Sequence, residues 1–279
     1  MKTDSFLTLA RRFRAIFFDS YGVLKVAGGE VEGGPELIET LRDEGIEIRV
    51  LTNDSSRSQG NQATRFRELG YTSIRSSDII TSGMMAKLFL KEKITSGKVA
   101  YLGTEASARY VLDAGCVAVP VSEVTDPDEI SGMVFLDDEG FDWNTDLNAV
   151  INLIRSRNIP TIVANTDYLY PTAGGRVALA TGGIAKLVES VVGRKFLHFG
   201  KPDTQMFSYA FEDINLSDSF AKKDVLMVGD TLGTDIIGGN KFGIKTCLVL
   251  SGNTSAKTYD QDIVRSGIGP DFVVESIGT

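Results

Sequence analysis

Short apolar runs that stop at a polar tip recur along this chain and restrict its fold more than any other feature. Ala15-Ile16-Phe17-Phe18 ends in Asp19 and then in a glycine-containing turn, Ser20-Tyr21-Gly22. Such a run reads as a buried strand that delivers one carboxylate to its C-terminal end. Ile46 to Leu51 repeats the pattern and ends in Thr52-Asn53-Asp54-Ser55-Ser56-Arg57-Ser58. A third run, Val225 to Val228, ends in Gly229-Asp230 and continues through Thr231 to Asp235. Between the first two, a flexible stretch from Ala27 to Gly34 leads to Pro35, which opens a helix with Leu37, Ile38 and Leu41 on one stripe; Gly45 closes it. Strand, helix, strand is the parallel-sheet unit with a right-handed crossover. The fold class expected is α/β, with a doubly wound parallel sheet.

A helix over about Gln62 to Leu69, closed by Gly70, completes this stretch, and from about Met84 the pattern restarts. Lys98–Leu102 reads as a strand, Ala106–Asp113 as a helix and Gly132–Leu136 as a strand. Leu147–Arg155 is an amphipathic helix with Leu147, Val150, Ile151 and Ile154 inward, and Thr161–Ala164 is another strand. This segment, about a hundred residues with its own α/β alternation, is enough for a separate domain. Pro171 and the glycines of Thr172-Ala173-Gly174-Gly175 and Gly182-Gly183 mark the expected return. A helix from Ile184 to Val192 and strands Asp224–Val228, Lys245–Leu250 and Asp271–Val274 follow. The expected division is a core of residues 1–83 and 182–279 and an inserted domain of residues 84–181.

Composition excludes several functions. At 42% hydrophobic and 24% charged residues, the 279-residue chain has the balance of an ordinary globular protein. Its net charge of −8 argues against nucleic acid as the main partner. Cys116 and Cys247 are far apart and form no metal-ligand pattern, so a reduced, cytoplasmic protein is expected. Met1 to Arg12 has no apolar core of a signal peptide, and no run long enough to span a bilayer follows, so no membrane partner is expected. With a single histidine, His198, a Ser-His-Asp device or a multi-histidine metal site is nearly excluded.

The tips carry the chemistry. In open α/β sheets ligands bind beyond the carboxyl ends of the strands, where Asp19, Thr52 and Asp230 converge. An aspartate there also serves simply to cap a turn. Asp19 and Asp230 together make a hard, oxygen-rich pocket of the kind that suits Mg²⁺. Thr52, followed by backbone N–H groups in a turn, suits phosphate oxygens. Lys201, fixed between Gly200 and Pro202, is either a solvated charge or a counter-charge that holds phosphate and nucleophile together.

Asp19-Ser20-Tyr21-Gly22-Val23-Leu24, Leu51-Thr52-Asn53, Gly200-Lys201-Pro202 and Gly229-Asp230 through Asp235 resemble, in order, the four motifs of the haloacid dehalogenase (HAD) superfamily. The long α/β insertion between the second and third motifs resembles the C2-type cap of the class IIA branch, the NagD-like and 4-nitrophenylphosphatase-like sugar phosphatases. Ser55-Ser56-Arg57-Ser58, Thr81-Ser82-Gly83 and Ala164-Asn165-Thr166-Asp167 resemble that branch as well. The resemblance covers nearly the whole chain. It implies a Rossmann-like HAD core and hydrolysis of a small phosphorylated metabolite, such as a sugar phosphate, through an aspartyl-phosphate on Asp19. It further implies Mg²⁺ held by Asp19, the backbone carbonyl of Tyr21, Asp230 and Asp235. Phosphate then falls to Thr52, the N–H of Asn53 and Lys201, with Asp54 and Arg57 beside them. Asn165 and Asp167, in the cap, are candidates for substrate specificity, although an ordinary Asx turn explains them equally well. Cap-to-cap homodimers occur among such proteins.

Two positions depart from the phosphatase pattern. Tyr21 stands where those enzymes carry the aspartate that protonates the leaving group and then activates water. Asp-x-Tyr-Gly resembles instead the metal-independent haloacid dehalogenases, which lack the fourth motif and place a helical cap soon after the first. Asp54 replaces a neutral amide and would repel an anionic substrate if it faced the pocket. Besides the dehalogenase, a phosphometabolite-binding protein with little turnover remains an alternative.

Overall fold

The computed structural model describes residues 5–172, 176–216 and 219–278. Those residues group into two compact units, one drawn from Met1–Thr52, Gln59–Ile80 and Lys201–Thr279, the other from Asn53–Ser58 and Thr81–Gly200.

In the first unit six strands form one sheet in the order Phe272–Val274, Lys245–Val249, Val225–Gly229, Ala15–Phe18, Glu47–Thr52, Ile79–Thr81. The four pairings from Phe272–Val274 across to Glu47–Thr52 are parallel. All four residues of the central strand Ala15–Phe18 are fully buried. A strand covered on both faces reads as a continuous apolar run rather than an alternating one, which is why it was visible in the sequence. Phe18 lies level with Val228 on one side and with Val50 on the other. Asp19, Asp230 and Thr52 therefore leave the sheet at the same end.

A helix over Phe6–Ala10, which the sequence does not announce, buries Phe6, Leu9 and Ala10 in the same core, with the Phe6 and Phe18 ring centroids 6.0 Å apart. Its five residues carry no capping side chain and complete barely more than one turn. Beyond Asp19 the chain is pinned by Tyr71, whose buried hydroxyl donates to the Leu24 carbonyl at 2.5 Å. The same carbonyl accepts from the Val31 N–H at 3.0 Å. Tyr71 is itself fixed edge-on against Phe66, with centroids 5.8 Å apart at 88°.

The second unit holds a five-stranded sheet in the order Leu197–His198, Thr161–Val163, Ile130–Phe135, Lys98–Leu102, Val117–Pro120, every pairing parallel. Helices Asp146–Ser156 and Thr181–Val192 share one apolar cluster, in which Val150, Leu153 and Ile154 meet Ile184, Ala185, Val188 and Phe196. The helix that the sequence assigns to the core thus belongs to this unit, and the chain re-enters the first unit at Lys201 rather than at residue 182. The stripe of Ile184, Ala185 and Val188 finds its partners on the neighbouring helix. The proline and glycine signal instead marks an antiparallel pair, Leu169–Thr172 with Arg176–Leu179; Ala173, Gly174 and Gly175 lie outside the described residues. Among the described residues no helix is long and apolar enough to cross a membrane.

The Tyr71 hydroxyl yields a first prediction. Tyr71→Phe removes one buried hydrogen bond but leaves the Leu24 carbonyl its Val31 partner, so the expected loss is about 1 kcal/mol. Urea unfolding of parent and variant, with unchanged m-value, measures it.

Candidate active site

The Lys201 ammonium lies 2.6 Å from Asp19 Oδ1 and 2.7 Å from Asp235 Oδ1. Lys201 is only 2% exposed and Asp235 is fully buried. Asp19 Oδ1 also accepts from the Ser20 N–H at 2.6 Å, which fixes the plane of the carboxylate. Burial on its own pulls the lysine pKa down, yet the charges of Asp19 and Asp235 outweigh it and hold the ammonium above its ordinary value. Lys201 therefore stays charged while out of water.

One carboxylate oxygen from each of Asp19, Asp230 and Asp235 can be drawn within 4.8 Å of the others. Burial, reinforced by the Asp19 charge, pushes Asp230 up to about 7. Burial also carries Asp235 well above the carboxylate range; the Lys201 charge opposes this, while Asp19 and Asp230 add to it. Three carboxylates around one ammonium leave an excess of negative charge in a low-dielectric pocket. Hard oxygen donors in such surroundings fit a divalent cation, and Mg²⁺ in particular, which takes a few carboxylates and keeps its remaining waters. The residues present fit the metal.

Local folding explains how the pocket is built. After the strand Val225–Gly229 the chain makes a single π-helical turn, Leu232–Ile236, which returns Asp235 so that its Oδ2 accepts from the Thr231 N–H at 3.1 Å. Asp230 is gripped by its own neighbours and by the loop after Lys245–Val249. Its Oδ1 accepts from the Thr231 hydroxyl at 2.9 Å and its Oδ2 from the Asn253 N–H at 2.6 Å. The Thr254 hydroxyl donates to the Asp230 carbonyl at 2.6 Å, and the Ser251 hydroxyl to the Gly22 carbonyl at 2.7 Å. Ser251 to Thr254 thus tie the turn after Asp19 to Asp230. The sequence reading missed them, although a Ser-Gly-Asn-Thr tip after an apolar run carries the same signal as the other tips.

Glycines make the approach possible. A Cβ at Gly22 would stand 2.1 Å, and one at Gly252 1.9 Å, from Asp230 Oδ2. Gly22 also has φ of +83°, which disfavours any side chain there. Gly252→Ala is the cleaner test, because its obstacle is steric alone. It is expected to displace the Asp230 carboxylate and weaken Mg²⁺ binding at least about tenfold, the loss of one well-placed charged ligand. Calorimetric titration of Mg²⁺ into parent and variant measures the change.

The remaining sequence candidates fall into distinct sets. Thr52, nearly buried, ends its strand beside the strand that carries Asp19. Tyr21 is half-buried in a tight turn, where the Gly22 N–H donates to the Lys25 carbonyl at 2.7 Å. In the second unit, Asn53 Nδ2 donates to Asp167 Oδ1 at 2.8 Å and to Thr166 Oγ1 at 2.9 Å. Asn165 Oδ1 accepts from the Asp167 N–H at 2.9 Å, which closes an Asx turn. Asp54 is engaged within its own turn, accepting from the N–H and hydroxyl of Ser56 at 2.8 and 2.5 Å and facing Arg57 Nη1 at 3.7 Å. Sequence reasoning also missed Asp137 and Asp138, at the end of Ile130–Phe135. Burial lifts Asp137 to about 6, with the Thr104 hydroxyl donating to it at 3.0 Å; burial also raises Asp138, which accepts from the Tyr170 hydroxyl at 3.0 Å.

Sequence profiles described as haloacid dehalogenase-like hydrolase and HAD-hydrolase-like match residues 16–117 and 198–279. Chronophin of Mus musculus is 30% identical over 276 residues, covering 95% of this chain and 90% of that protein. A HAD-superfamily structure from Cytophaga hutchinsonii, described as a possible sugar phosphatase, is 44% identical with a TM-score of 0.96, covering 100% of this chain and 99% of the other. Glycerol phosphate phosphatase from Mycobacterium tuberculosis, solved in complex with magnesium, is 25% identical with a TM-score of 0.79, covering 99% of this chain and 78% of the other. The chain belongs to the haloacid dehalogenase-like hydrolases, in the class IIA branch of NagD-like and 4-nitrophenylphosphatase-like proteins.

Proposed function

We propose that the protein is a Mg²⁺-dependent phosphatase that transfers the phosphoryl group of a small metabolite to Asp19 and then to water. The observation that carries this reading is the buried Lys201 between Asp19 and Asp235, with Asp230 completing the oxygen cluster. A dehalogenase displacing halide would leave Asp230 and Asp235 without a role, and a binding module would need no carboxylate aligned by Lys201 and the Ser20 N–H. The solved structures described as phosphatases support the same choice.

In this reading an Asp19 carboxylate oxygen forms a bond to phosphorus as the bond to the leaving oxygen breaks. Water then attacks phosphorus, which regenerates Asp19 and releases inorganic phosphate. Phosphoryl transfer needs positioning and charge stabilisation more than covalent chemistry. Lys201 holds Asp19 and neutralises charge on the transferred group. Thr52 and the N–H of Asn53 receive phosphate oxygens. Asp19, Asp230, Asp235 and the carbonyl of Tyr21 would hold a divalent cation, which would supply positive charge to offset the repulsion between an anionic nucleophile and an anionic substrate. Asp19→Asn, nearly isosteric, is expected to lower kcat on 4-nitrophenyl phosphate by at least about a thousandfold, since the nucleophile is lost, while the far-UV circular dichroism of the folded protein is kept. Retained turnover would mean that water attacks directly.

Tyr21 bears on the choice of substrate. A positioned general acid contributes about a hundred- to ten-thousand-fold, and a phenol is a weak proton donor near neutral pH. Aryl and acyl phosphates, whose leaving groups need little protonation, are the better substrates on this account; alkyl phosphates such as sugar phosphates are the poorer. Tyr21→Asp should raise kcat, and raise it more for alkyl than for aryl phosphates. Steady-state kinetics on both classes decides this. Efficient hydrolysis of a sugar phosphate by the parent, slowed by Tyr21→Asp, would make Tyr21 a working part of the site.

A further inference from the structure

One oxygen of the Asp167 carboxylate, Oδ1, is held by a neighbouring side chain. The two hydrogens of the Asn53 side-chain amide are spent on Asp167 Oδ1 and Thr166 Oγ1, at 2.8 and 2.9 Å. The Asn53 carbonyl accepts from the Ser82 hydroxyl at 2.7 Å. On the remaining side, a Cβ at Gly200 would come within 2.6 Å of Asn53 Oδ1, so only glycine lets the amide lie there. Asn53 is 2% exposed. Asp167 is in turn set by the Asx turn that Asn165 closes on its N–H. Asn53 is bonded directly to Thr52, and the strand ending at Thr52 pairs with the strand leading to Asp19, Val50 level with Phe18.

We propose that Asp167 is a positioning residue. With Thr166 it holds the side chain of Asn53, and through Asn53 it keeps the Thr52–Asn53 turn in the orientation that receives a phosphate. It does not read the leaving group. This rests on the phosphatase function proposed above. A carboxylate that touched an anionic substrate would repel it, whereas one bonded to a buried neutral amide makes a charge-assisted bond that gains strength away from water. With both hydrogens of Asn53 Nδ2 engaged, the side chain orients the turn, and phosphate falls to the backbone N–H.

The test compares a substrate with a small leaving group, acetyl phosphate, with 4-nitrophenyl phosphate, and adds inhibition by inorganic phosphate, all with Mg²⁺. Asp167→Ala should raise KM for both substrates and Ki for phosphate by one common factor, about tenfold for the loss of one charge-assisted bond, with kcat changing less. Asp167→Asn, which retains an acceptor oxygen for Asn53, should recover most of that loss. An effect confined to the aryl ester, with phosphate inhibition unchanged, would show that Asp167 touches the leaving group and overturn the proposal. If Asp167→Ala does not fold, Thr166→Val, which removes the other acceptor, must show a uniform loss of the same kind; a substrate-selective loss would overturn the proposal equally. A parent that hydrolyses neither substrate would defeat the phosphatase reading itself, whatever the variants do.

Discussion

Lys201 is the residue on which the site depends. Taking an ammonium out of water costs several kcal/mol, and so does burying each carboxylate around it. Each group is tolerable only because the others are present, with Nζ within 2.7 Å of both Asp19 and Asp235. Replacing such a cluster by apolar side chains often stabilises a protein, so the cluster is poorly explained as a device for folding. The phosphatase function proposed above gives it a purpose, a reaction in which negative charge must be brought against a negative nucleophile. The parallel sheet serves that end by releasing three strands at one level, so that residues about two hundred positions apart in sequence share one pocket.

The core of this arrangement was legible in the sequence because buried parallel strands advertise themselves. Ala15–Phe18 and Val225–Val228 have no polar residue until the tip, so the first polar residue marks the end of the strand and the start of the site. Lys201 was legible through its fixed neighbours, Gly200 and Pro202. What stayed hidden had weaker local signals. Leu197–His198 and Ile79–Thr81 have two and three residues and exist only because a longer strand lies beside them. The helix from Thr181 carries an apolar stripe, but a stripe does not say which neighbour it will meet. Only the shared cluster of Ile184 and Val188 with Val150 and Ile154 places it in the second unit.

Side-chain hydrogen bonding was the least legible layer. Asn165 and Asp167 were recognisable as polar residues after a strand, but the sequence could not separate a substrate contact from a turn. In the structure Asn165 closes the turn and Asp167 meets Asn53. Asp54, expected to repel an anion only if it faced the pocket, spends one oxygen on Ser56 and faces Arg57 with the other. In both cases the partner lies within a few residues or on a loop far along the chain, and no periodicity encodes that choice.

The two glycines beside Asp230 have a consequence for how this region can vary. The N–H that Asn253 offers to Asp230 Oδ2 is a main-chain group, so it is indifferent to the side chain that follows it and is lost only with proline. Gly22 and Gly252, in contrast, are defined by what they lack, and every other residue adds a carbon where an oxygen already stands. At these two positions the ring around Asp230 constrains volume rather than chemistry. Drift should be almost nil at positions 22 and 252, whereas position 253, whose side-chain amide donates to the Thr231 hydroxyl at 3.0 Å, is held by its polar group and not by lack of space.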